Sequence, residues 1–175
     1  MGYMEIARIA SNGLKIKGKT GTIAIDSLDK GIYQALLVTD MDALGEKETL
    51  NEQLIITGPG EYEVAGIKII GLAVDASSVY ILIVDSVTIA IGKLSALQKT
   101  QSKLQEHDIV IAKCTSLEPA SFLSPLSSHV VILYGDHAPE VAQTFGEEHV
   151  QTLGKYSVTK EKLPTEAETI LLSNS

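Results

Sequence analysis

Residues 54–74 read LIITGPGEYEVAGIKIIGLAV, three β-rich runs (LIIT, EYEV and IKIIGLAV) separated by glycines. Branched and aromatic side chains favour a pleated strand, and glycine favours the turns between strands. Gly58 and Gly60 flank Pro59, which predicts a tight turn, and Gly66 closes the next hairpin. Along EYEV, Glu61 and Glu63 alternate with Tyr62 and Val64, so the two kinds of side chain occupy opposite faces of one strand.

The same grammar extends in both directions. Upstream lie EIARIA, LKIK, TIAID and ALLVT, with turn signals at Ser11–Gly13 and Lys17–Gly21; downstream lie VYILIVD and VTIAIG. The first half therefore reads as an antiparallel meander. Beyond it, Leu94, Leu97 and Leu104 recur at helical spacing, predicting an amphipathic helix from about Ser95 to Glu106 with Ser95 as N-cap. DIVIA (108–112) and HVVILY (129–134) read as buried strands, and APEVAQTFG as a helix with Pro139 in its first turn and Gly146 past its end. The tail carries one or two last strands, TILL (169–172) the clearest. Strands alternating with helices predict partly parallel pairing, and a meander followed by strand, helix, strand, helix, strand is the plan of an αββα sandwich, an α+β class.

Composition narrows the function. The 175 residues suit one domain spanning 1–175, and a hydrophobic share of 45% is that of a folded chain. Fourteen Lys+Arg against 22 Asp+Glu leave a formal charge of -8, which repels a phosphate backbone and argues against nucleic acid. The lone Cys114 can form no internal disulfide. No apolar run reaches the roughly 18 residues of a spanning helix, and MGYMEIARIA lacks the pattern of a signal peptide. A soluble cytoplasmic protein without membrane association is the expectation.

Four stretches, LKIKGKTGTIAID, ALLVTD, ITGPGEYEVAGIKIIGL and VTIAIGKL, taken in this order, resemble the small metallo-β-lactamase-fold hydrolases, especially a compact bacterial and archaeal subgroup of predicted zinc-dependent enzymes; the GPGEYEV stretch is the most specific. The resemblance covers nearly the whole chain and implies an αββα sandwich. In that family the strand ending here at Thr39 leads into a His-x-His-x-Asp-His motif that holds two metals, which generate a hydroxide nucleophile. This chain has Asp40, Met41, Asp42, Ala43, Leu44 and Gly45 there. Aligned on the same motifs, the early histidine falls at Ser11, and the histidine after the GPGEYEV hairpin is replaced by AVDASS, where only Asp75 could donate. The aspartate that bridges the metals becomes Lys93, and a cation cannot bridge two metals. The last histidine falls within Tyr134, Gly135 and Asp136, with His137 just beyond.

These replacements imply a catalytically silent member that needs no cofactor and acts by binding a small molecule or a protein. Two other readings compete with it. One is a reworked divalent site for Mg²⁺, Mn²⁺ or Zn²⁺, built from Asp40, Asp42 and Asp136, with Asp75 and His137 at the same mouth. The other is a structural subunit of a homodimer. Acids at strand ends also occur simply because they accept hydrogen bonds from free backbone N–H groups. For Lys93 the alternatives are an ammonium that neutralises Asp40 or Asp42 in the space of a metal, and an exposed turn lysine. No two of His107, His129, His137 and His149 share one element at metal-ligand spacing, and Cys114 reads as a small apolar group.

Overall fold

The computed structural model describes residues 3–9, 13–27, 33–40, 54–104, 107–118, 120–123, 128–144 and 150–173. Its strands are β1 (Met4–Ile9), β2 (Gly13–Lys17), β3 (Thr22–Ile25), β4 (Ala35–Leu37), β5 (Leu54–Ile56), β6 (Gly60–Val64), β7 (Ile67–Val74), β8 (Ser77–Val84), β9 (Val87–Lys93), β10 (Ile109–Lys113), β11 (Val130–Tyr134), β12 (Val150–Leu153), β13 (Lys155–Val158) and β14 (Glu168–Leu172). Two helices follow β9 and β11, α1 (Leu94–Lys99) and α2 (Ala138–Gln143).

Strand alternation builds two layers. One sheet runs β13-β1-β2-β3-β4-β5 and the other β12-β14-β11-β10-β9-β8-β7-β6. Every second residue of the central strands, among them Ile6, Ile16, Ile25, Leu82, Ile89, Ile111 and Ile132, is buried in one shared core between them. The outer face of the second sheet is apolar as well. Ala90, Val110, Val131 and Leu133 pack there with Leu94 and Leu97 of α1 and Val141 of α2. That is why β10 and β11 read as continuous hydrophobic runs, since both faces are covered. The small outer cluster of the first sheet is Ala24, Leu36 and Val38, with Ile9 and Tyr33.

Three details depart from the sequence reading. The opening strands are antiparallel only as far as β3, because β3 with β4 and β4 with β5 pair in parallel. The helix expected from Ser95 starts one residue earlier and is shorter. Lys93, still extended, occupies the N-cap position without a side-chain cap bond, and Thr100 ends α1 by turning its hydroxyl back to the carbonyl of Ala96 at 3.0 Å. A single 3₁₀ turn, Gln101–Lys103, continues the path; residues 105–106 lie outside the described residues. Finally, the tail contributes β13 to the first sheet and β14 to the second, while β12, whose half-exposed VQTL gives little strand signal, joins the parallel edge beside β14.

Candidate functional site

The parallel strands β9, β10 and β11 are in register, so that Lys113 pairs with both Lys93 and Tyr134. Each of these three residues stands two positions after an inward isoleucine, Ile91, Ile111 or Ile132. By period-two alternation their side chains point into the space between the sheets, at the carboxyl ends of the strands. Arg8 of β1, two residues beyond the inward Ile6, faces the same space from the first sheet.

Asp26 answers this row of cations. It follows β3 with a positive φ of 51°, a conformation aspartate tolerates better than most residues. Its backbone N–H donates to the Leu37 carbonyl at 3.0 Å, which ties the turn to β4. The carboxylate is fully buried and accepts the Thr39 N–H at 2.8 Å, the Thr39 hydroxyl, and Lys113 Nζ at 3.0 Å. Lys113 is buried to the same degree, with side-chain exposures of 3% for Lys113 and 0% for Asp26. A charge so far from water is held only by a partner and hydrogen bonds, and here both ions have them.

A second pair lies alongside. After β4 the chain crosses from the first sheet to the second, where Asp40 forms an isolated antiparallel bridge with Ser77 and Ser78 donates its N–H to Thr39 O at 2.8 Å. Tyr80 braces the crossing. Its hydroxyl lies 2.7 Å from Val38 O and 3.0 Å from Ile56 O, and burial pushes its pKa up to about 12. The crossing brings the Asp40 carboxylate 2.9 Å from Lys93 Nζ; the two side chains are 20% and 25% exposed. Lys93 is therefore an ion-paired residue of the mouth, not an exposed turn lysine.

Of the remaining named residues, Asp75 and His137 leave the same strand ends but meet other partners. Asp75 sits in the turn between β7 and β8, at a positive φ of 53°, and pairs with Lys99 of α1 on the surface. Asp136 is exposed, and His137 occupies the N-cap position of α2, its N–H donating to Cys114 O at 3.0 Å. Asp42, Ser11 and His149 lie outside the described residues. Cys114 is buried, and that burial pushes its thiol up to about 12, a poor nucleophile. The Tyr134 hydroxyl is buried without a hydrogen-bond partner among the described residues. Burial, then the nearby charge of Asp26, raises its pKa well above the ordinary phenol value, so it stays a protonated donor.

Sequence reasoning named Lys93 and Asp40 but passed over Asp26, Lys113, Thr39 and Arg8. A signal for Lys113 exists in IVIAK, where a lysine closes a strand of otherwise apolar residues at the inward parity. A signal for its partner is absent, because Asp26 looks like any turn aspartate until the fold brings it 87 positions along the chain to Lys113.

Among the described residues the donor set does not fit a two-metal centre. Metal ligands need lone pairs, whereas a charged lysine offers only N–H donors and adds a positive charge beside any incoming cation. Asp40 and Asp26 already accept such donors. Among the described residues no three His, Cys, Asp or Glu side chains gather closely enough to hold a metal ion. Nor is any described helix long and apolar enough to cross a membrane.

No protein-family model and no curated protein matches the chain. Solved structures do. A protein of Thermotoga maritima, assigned as a Zn-dependent hydrolase of the metallo-β-lactamase superfamily, superposes with a TM-score of 0.70 at 15% identity, over 97% of this chain and 98% of that one. The metallo-β-lactamase-fold protein YhfI of Bacillus subtilis gives 0.57 at 8% identity, over 98% and 96%. A protein of Parabacteroides distasonis assigned as a metal-dependent hydrolase gives 0.55 at 13%, over 83% and 89%. The chain has the metallo-β-lactamase fold, a compact sandwich of two sheets with helices outside.

Proposed function

We propose that this protein is a non-catalytic bearer of the metallo-β-lactamase fold, one that acts by binding rather than by hydrolysis. The observation that carries the reading is the pair of lysine–aspartate contacts, Lys93 with Asp40 and Lys113 with Asp26, at one end of the space between the sheets. By resemblance Lys93 stands where the hydrolases keep their bridging aspartate. An ammonium there supplies the positive charge that a metal would otherwise give the carboxylates. It supplies no Lewis acid and no acidified water, and those are what make a hydroxide nucleophile near neutral pH. The neighbouring groups do not replace that chemistry. The Cys114 thiol and the Tyr134 hydroxyl are both held protonated by burial.

Hydrolysis of phosphoester, lactone and thioester substrates, followed with Zn²⁺, Mn²⁺ or Mg²⁺ added in turn, tests this reading, with thermal unfolding recorded in the same buffers. The expected result is no turnover above the metal-only blank and an unfolding midpoint that neither metal nor chelator moves. Turnover that needs a metal and disappears in Asp40→Ala would overturn it.

A further inference from the structure

Among the described residues the second sheet ends at β6, an edge whose charged side chains are acidic. Among the described residues β6 pairs with β7 alone, so every second residue turns its backbone N–H and C=O away from the sheet. Edge strands are commonly blunted by charged side chains, lysine above all, by proline or by a bulge, and here the charges are Glu61 and Glu63. From Gly60 to Val64 there is neither lysine nor proline, and the register with β7 runs unbroken. The turn before it is firmly built. The Tyr62 hydroxyl donates to Pro59 O at 3.1 Å, and a Cβ on Gly71 would stand 2.5 Å from Gly58 O, so turn and sheet touch through backbone.

Two features give the edge its chemistry. Glu61 and Glu63 are exposed on its outer face and make no ion pair among the described residues. Behind them run cross-strand neighbours that are isoleucines except for Lys68, an exposed cation opposite Glu63. Ile70 pairs with both Glu61 and Ile81, and Lys68 with Glu63 and Ile83. Ile70 and Ile83 are 38% and 37% exposed, large values for isoleucine, and a groove of about 410 Å³ runs along this face.

We propose that β6 is a docking edge for an extended, basic segment of a partner protein, which adds to the sheet as a further strand. Backbone bonds along the edge supply affinity, and lysine or arginine at alternate positions meets Glu61 and Glu63. The isoleucines offer the rest of the partner apolar surface to bury. A second copy of this chain is the wrong occupant. Antiparallel self-pairing centred on Tyr62 sets Glu61 of one copy against Glu63 of the other, twice over, and like charges directly opposite are destabilising. Each copy also carries a net charge of -8. The inference goes beyond the loss of catalysis and does not depend on it, because the edge and the lysine-filled mouth are tested by different readouts.

The probe is a fluorescein-labelled octapeptide of alternating lysine and valine, titrated with the full chain and followed by anisotropy. Three comparisons accompany it: the E61K/E63K variant, an E140K/E166K variant with the same change of net charge elsewhere, and the octapeptide with its central valines replaced by proline. All four glutamates are exposed, so both variants should fold. The expected result is saturable binding, at least about tenfold weaker for E61K/E63K, little changed for E140K/E166K, and lost with the proline peptide. Equal weakening in both variants would reduce the effect to net charge and overturn the proposal. Undiminished binding of the proline peptide, absence of binding, or a wild-type homodimer dissolved by E61K/E63K would overturn it as well.

Discussion

Replacing Lys113 by methionine removes an ammonium and leaves a side chain of similar length. What remains is a carboxylate at Asp26 with no exposed surface, still accepting the N–H and hydroxyl of Thr39 but no cation from Lys113. Breaking a buried pair from one side costs about 3–5 kcal/mol, because the surviving charge is left without its counterion. The two Thr39 donors put Lys113→Met at the lower end, about 3 kcal/mol. For a chain of this size each kcal/mol moves the midpoint by about 2–4 °C, so the loss should be about 6–12 °C. Thermal and urea unfolding of wild type, Lys113→Met, Asp26→Asn and the double variant form a cycle. The double variant should be more stable than the sum of the single losses allows, with a coupling of about 2 kcal/mol. A single-variant loss below about 1 kcal/mol, or additive losses, would refute the reasoning that these two ions neutralise each other inside the mouth.

Other consequences can be checked separately. At the opposite end of the sandwich, burial raises the pKa of Asp108, but hydrogen bonds from Lys160 at 2.7 Å and from Thr88 outweigh it and hold the carboxyl below its ordinary value. A depressed pKa contributes stability above the ordinary carboxylate range that is lost as pH falls through the folded value, so unfolding of Asp108→Asn should depend less on acid than that of wild type. Cys114, buried with its thiol pushed up to about 12, should resist a disulfide reagent such as dithionitrobenzoate in the native protein and react once urea unfolds it; rapid native labelling would contradict that burial. Gly71→Ala would drive a methyl group into Gly58 O and should cost about 1–3 kcal/mol in urea unfolding, whereas Gly58→Ala, with no heavy atom within 4 Å of its new methyl, should cost less.

What the sequence revealed follows its periodicities. IKIIGLAV became β7 at its expected bounds, because alternation together with glycine and aspartate turns specifies an antiparallel hairpin almost alone. APEVAQ became α2 because Pro139 starts a helix well. Parallel pairing of β3, β4 and β5 was hidden, since a strand's own residues do not state its partner's direction. The first helix was overextended because Leu104, though buried, comes after a 3₁₀ turn rather than on the same helix. At the mouth, Asp40 and Lys93 could be named from a family pattern that they break. Asp26 and Lys113 could not, because neither motif nor spacing joins residues so far apart, and their meeting is a product of sheet packing. At Asp75, an acid at a suggestive position, the fold supplies the surface lysine Lys99 as partner, which its sequence neighbours do not announce.

The central claim is that ammonium groups take the place of metal ions in this mouth. Elemental mass spectrometry tests it most directly, on protein purified without chelator, equilibrated separately with Zn²⁺, Mn²⁺ and Mg²⁺, and then desalted. The account predicts far less than one ion per chain in every case, with the protein folded throughout. One or two retained ions per chain, lost on Asp40→Ala, would contradict it.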